Sequence, residues 1–272
     1  MDLLLRNSRI KLSQGQVFWR EIGSGPILVF LHGFFTDSSQ WLPVIEQLNR
    51  EHHCFAPDLL GFGESERPNM HYSIQLEVEC LAEFLEALKL REVYLIGHSL
   101  GGWIAASYAL KYLEQVRGIV LVAPTGVQAE KIRGNKRWNR WLLGRPPILS
   151  WLLRSLRFPA QFLGFSKKIS AALEMRQQLL QSPTACQLLF QRRPSEIQAE
   201  LLEERLEWLK VPVLVLQGGQ DTHAAIAESK AYAALSPRAA LQIINLGGND
   251  LPQQLPDVVA GHIRDFVSGV DF

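Results

Sequence analysis

Five residues, Gly97-His98-Ser99-Leu100-Gly101, carry the clearest chemical signal in the chain. They follow the apolar run Val93-Tyr94-Leu95-Ile96 and open a helical run over 102–112, so the order predicts a strand, a sharp turn and a helix. A serine hydroxyl on such a turn stands clear of the backbone and can attack an acyl carbonyl. The same pattern also suits a small-residue turn that merely joins a strand to a helix. The attacking reading needs three further parts: a base for the hydroxyl proton, a carboxylate to orient that base, and N–H donors for the oxygen that becomes negative.

The elements that would position these parts can be read from the apolar pattern. Strand-length runs occur at 17–22, 27–31, 53–56, 93–96, 119–122, 213–217 and 241–245. Helical spacing appears between them at 41–48, 75–88, 100–112 and 225–235. Runs such as Ile27-Leu28-Val29-Phe30-Leu31 are apolar without alternation, as expected when helices cover both faces of a parallel sheet. The expected fold is therefore α/β, a doubly wound and mostly parallel sheet.

The alternation breaks once. Between 127 and 208 no strand pattern appears, which predicts a helical cap inserted into a core domain made of 1–126 and 209–272. The insertion carries Trp138, Trp141, Trp151, Phe158 and Phe162 among many arginines, with no acidic residue from 131 to 172. Such a segment suits peripheral contact with an anionic membrane surface. It equally suits packing of the apolar residues on the core while the cations stay solvated.

Composition narrows the function classes. With 272 residues, 47% apolar and 20% charged, the chain has the make-up of an ordinary globular protein with a sizeable core. A net charge of +1 gives no basic face for nucleic acid. Cys54, Cys80 and Cys186 have no metal-ligand spacing and read as buried thiols in a reducing, cytoplasmic setting. The first residues include only three consecutive apolar ones, too few for a signal-peptide core, and no run approaches the length of a membrane span. No metal cluster or phosphate-cradling loop is expected, and no cofactor.

Four motifs then fall at strand ends in a characteristic order: His32-Gly33-Phe34, Asp58-Leu59-Leu60-Gly61-Phe62-Gly63-Glu64-Ser65, Gly97-His98-Ser99-Leu100-Gly101-Gly102, and Gln217-Gly218-Gly219-Gln220-Asp221. With them the chain resembles the α/β-hydrolase superfamily, in its cap-bearing serine esterase and lipase branch. The resemblance implies that Ser99 is the nucleophile, that Phe34 and Leu100 supply the oxyanion-hole N–H groups, and that Asp221 is the triad acid. It implies structural roles for His32, His98 and Asp58. Asp221 also suits a turn aspartate that caps the helix from about residue 224.

At the histidine position the resemblance fails. The family pattern has Gly-His where this chain has Gly248-Asn249, and an amide has no nitrogen able to take the serine proton near neutral pH. Asn249 could fill the same volume and keep a hydrogen bond to Asp221 or Ser99. His223 and His262 lie away from the expected loop tip, and His52 and His53 precede a strand at the other end of the sheet. The expected activity is that of a serine hydrolase acting on an ester or related acyl bond of a small hydrophobic substrate, weakened or inactivated by Asn249. The alternative is a non-catalytic ligand-binding or signalling module. Lyase or transferase chemistry on the same fold forms a third reading, while Ser99 argues against haloalkane and epoxide chemistry, which use aspartate at that position.

Overall fold

A computed structural model describes residues 4–128, 177 and 180–269. Eight strands form one sheet: β1 (Arg6–Lys11), β2 (Gln16–Gly23), β3 (Ile27–Leu31), β4 (His53–Pro57), β5 (Val93–His98), β6 (Val116–Val122), β7 (Val213–Gly218) and β8 (Ala239–Ile244). Their spatial order is β1-β2-β4-β3-β5-β6-β7-β8. β2 runs antiparallel to both β1 and β4, and every pairing from β4 to β8 is parallel. All seven strands expected from the apolar runs are present. The eighth, β1, went unanticipated because Arg6-Asn7-Ser8-Arg9-Ile10-Lys11 is a polar edge strand that no apolar run announces.

Helices cover both faces: α1 (Leu42–Leu48), α2 (Ile74–Ala87), α3 (Leu100–Lys111), α4 (Pro194–Glu200), α5 (His223–Leu235) and α6 (Pro256–Gly269). Successive strand residues point to opposite faces, and this partition is visible residue by residue. Leu28, Phe30, Tyr94, Ile96, Val120 and Val122 pack with Trp41, Ile45 and Ile263 on the α1 and α6 side. Val29, Leu31, Leu95, Ile119 and Leu121 pack with Phe84, Ile104 and Tyr108 on the α2 and α3 side. Each fully buried Leu, Ile or Phe contributes roughly 1.5–3 kcal/mol. A register slip would turn both sets to the wrong face at once, so the strand ends that carry the motifs are held rigidly.

In the stretch expected to form a cap, 127–208, helical turns at Pro183–Cys186 and Gln187–Gln191 lead into α4. The Trp- and Arg-rich stretch 131–168, on which the membrane expectation rests, lies outside the described residues. Among the described residues no helix is long and apolar enough to cross a membrane, and no group of His, Cys, Asp and Glu could hold a metal ion. The three cysteines are buried and unpaired.

One buried acid on α2 supports the loop after β4. Glu77 accepts the Leu60 N–H at 3.2 Å through Oε2, while Oε1 has no partner among the described residues. Burial pushes its carboxyl up to about 8, so the native state keeps a proton that the unfolded chain releases near 4.5. Where the folded form binds the extra proton, stability falls as pH rises. That contribution is complete below pH 4.5 and is lost progressively up to about 8. Glu77→Gln is therefore expected to leave the melting temperature unchanged at pH 4 and to raise it at pH 8, at roughly 1.4 kcal/mol per pH unit of the window at most. Calorimetry at the two pH values checks this, and parallel pH dependences of the two proteins would contradict it.

Candidate active site

Ser99 sits between β5 and α3 with φ 49° and ψ −108°, a left-handed conformation that is strained for a residue with a side chain. The strain is held from both sides. Ser99 N–H donates to the Val122 carbonyl at 3.0 Å, and Gly101 N–H donates to the His32 carbonyl at 3.1 Å. The turn can close this tightly because a Cβ on Gly101 would run into the carbonyl of Leu31 on β3. Gly101→Ala is expected to disrupt the elbow and destabilise the protein by several kcal/mol, on the scale of large single-site effects. A melting curve like that of the unaltered chain would show that the close approach is dispensable.

The loop after β3 faces this turn. His32 is fully buried; its Nδ1–H donates to the Gly33 carbonyl at 2.8 Å and its Nε2 accepts the Leu59 N–H at 3.0 Å. Burial holds its imidazole below the ordinary histidine value, so the ring is neutral and joins two loops. A Cβ on Gly33 would lie 2.7 Å from His98 Nδ1 and 3.5 Å from Ser99 Cβ, which shows how closely this loop approaches the elbow. Leu100 opens α3, so its N–H is among those with no acceptor within the helix. Ser182, just ahead of the helical turn Pro183–Cys186, donates to the Phe34 carbonyl at 3.4 Å and borders the same loop. Asp58 accepts the N–H groups of Ser38 and Glu64, each at 2.7 Å, which ties its loop together.

Asp221 follows β7. Its Oδ1 accepts the Thr222 N–H at 2.6 Å, and its Oδ2 accepts from Gln217 Nε2 and from Asn249 Nδ2, both at 3.1 Å. Helix α5 is capped instead by Thr222, whose hydroxyl accepts the Ala225 N–H. The capping alternative for Asp221 is thereby corrected: the next residue does that work, and one Asp221 oxygen is left for position 249. Asn249 resolves its two options toward Asp221. Its amide makes the bond that an imidazole N–H would make there, with nothing on the other side able to accept a proton.

The elbow and the Asn249 loop are joined through His98, whose Nε2 donates to the Asn249 carbonyl at 3.0 Å. Burial keeps the His98 ring below the usual histidine value and so uncharged. The structure thus brings Asp221 and Asn249 into direct contact and places the residue before Ser99 in contact with Asn249. His223 lies at the start of α5 and His262 on α6, and neither makes a hydrogen bond to these residues. Sequence reasoning missed two supports. Gln217, fully buried at the end of β7, holds Asp221 with Nε2 and accepts the Ser229 hydroxyl at 2.5 Å with Oε1. Gln40 contacts the His98 ring. A glutamine closing the apolar run 213–217, four residues before Asp221, was the signal in the sequence, and only for Gln217.

A strained serine between a parallel strand and a helix, with an aspartate just after β7, defines a class. Residues 26–251 match the family described as the alpha/beta hydrolase fold, and the chain belongs to it. It is 36% identical over 118 residues to a 2-hydroxy-6-oxo-2,4-heptadienoate hydrolase of Pseudomonas putida, covering 42% of this chain and 43% of that protein. It is 38% identical over 126 residues to a 1-acylglycerol-3-phosphate O-acyltransferase of Mus musculus, covering 43% and 36%. The matched stretches thus span less than half of these relatives. Among solved structures, a bacterial membrane phospholipase A superposes with TM-score 0.75 at 26% identity over 98% of this chain and 86% of that one. An esterase from Thermogutta terrifontis shares the fold with TM-score 0.74 at 23% identity, over 98% of this chain and 100% of that one.

Proposed function

We propose that the chain is a serine-hydrolase scaffold for an ester or related acyl bond of a small hydrophobic substrate, with Ser99 as nucleophile, Asp221 as acid and Asn249 in the place of the base. The N–H groups of Phe34 and Leu100 form the oxyanion hole, and the insertion over 127–208 caps the site. One observation carries the reading: Asn249 Nδ2 donates to Asp221 Oδ2 at 3.1 Å, so the acid is aimed at position 249 as it would be at an imidazole. Hydrolase, esterase and phospholipase relatives support acyl chemistry on this fold. Three buried free cysteines favour a reducing, cytoplasmic setting. The test is Asn249→His. Reaction of Ser99 with a fluorophosphonate, gained on Asn249→His, supports the reading. A folded but unreactive Asn249→His protein would favour the ligand-binding module, whose pocket keeps its shape through the same amide contact.

A further inference from the structure

Gln40 lies on the short turn Ser38–Trp41 ahead of α1 and is 1% exposed. A buried carboxamide is costly unless its hydrogen-bonding capacity is met, and here all of it is met. Oε1 accepts the Gly33 N–H at 3.2 Å and the Thr36 hydroxyl at 3.0 Å. Nε2 donates to His98 Nδ1 and to Asp250 Oδ1, each at 3.0 Å. The partners come from three separate places: the loop after β3, the end of β5 and the loop that carries Asn249. Gly33 precedes Phe34, His98 precedes Ser99, and Asp250 follows Asn249. One side chain therefore stands a single residue away from the oxyanion loop donor, the nucleophile and the base position.

We propose that Gln40 is a positioning residue that locks the oxyanion loop, the nucleophile turn and the 249 loop into mutual register. The inference rests on the reading of Ser99 as nucleophile. The donation from Nε2 also sets the His98 tautomer: Nδ1 must accept, so Nε2 carries the hydrogen given to the Asn249 carbonyl. Loss of the carboxamide unties three segments whose relative placement has to hold within about 1 Å for efficient turnover.

The test uses the Asn249→His protein as parent and p-nitrophenyl butyrate as substrate. Gln40→Leu keeps the bulk and removes every bond; kcat is expected to fall about 100-fold with KM changed less than about threefold, because alignment and not binding is lost. Gln40→Glu presents a carboxylate to Asp250 and to the unprotonated His98 Nδ1. Its kcat relative to the parent is expected to fall as pH rises and to recover toward acid, where the carboxyl regains a proton to donate. An unchanged kcat in Gln40→Leu overturns the proposal. Should that variant not fold, a pH-independent ratio for Gln40→Glu overturns it instead. An active parent with unaffected Gln40 variants defeats this inference alone, whereas a folded, inactive parent defeats the reading of Ser99 and this inference with it.

Discussion

Asn249→His is expected to raise hydrolysis of a short p-nitrophenyl ester by about 10³-fold or more over the unaltered chain. The amide already donates to Asp221 at 3.1 Å, so an imidazole that replaces it would present one N–H to the same carboxylate oxygen and leave the other nitrogen free. That nitrogen can accept the Ser99 proton, which a carboxamide cannot. In a well-studied serine protease, removal of the histidine costs about 10⁶ in kcat, which sets the upper limit of the gain. The rate of the variant should climb with pH through about 6.5, the ordinary histidine range, because only the neutral ring is a base. Steady-state kinetics from pH 5 to 9 measure both the size and the shape. A flat profile at the unaltered rate would contradict the expectation.

The second large effect is a coupling. In the Asn249→His protein, Asp221→Asn should lower kcat by about 10⁴, because an amide facing the imidazole favours the wrong tautomer and no longer stabilises the imidazolium. In the unaltered chain the same substitution should change the residual ester hydrolysis by less than about threefold, since no base exists for Asp221 to orient. Gln217 and the Thr222 N–H hold the carboxylate in either protein, so the difference isolates its action on position 249. Equal effects in the two backgrounds would mean that Asp221 supports the loop and nothing else.

Much of this arrangement was legible because chemistry and packing leave different marks. Parallel strands buried on both faces read as unbroken apolar runs, so β3, β5, β6 and β7 were found within a few residues of their observed bounds. Edge strand β1 left no such mark, since half of it faces water and its partner β2 supplies the order. Ser99, Asp221 and Asn249 could be ordered along the chain. Which of them meet depends on contacts between residues far apart in sequence, such as Asn249 with Asp221 and His98 with the Asn249 carbonyl. Gln40 was silent for the same reason: a glutamine in a polar turn looks solvated until the fold buries it and brings Asp250 to it from 210 residues away. Asp221 as a helix cap was a fair reading of local spacing, which cannot tell one turn residue from its neighbour.

The proposed placement of position 249 between Asp221 and Ser99 is tested most directly by a crystal structure of the Asn249→His protein. The account predicts one imidazole nitrogen within about 3.2 Å of an Asp221 carboxylate oxygen and the other within reach of Ser99 Oγ. A ring that keeps the Asp221 contact while its far nitrogen faces solvent, away from Ser99, would contradict it.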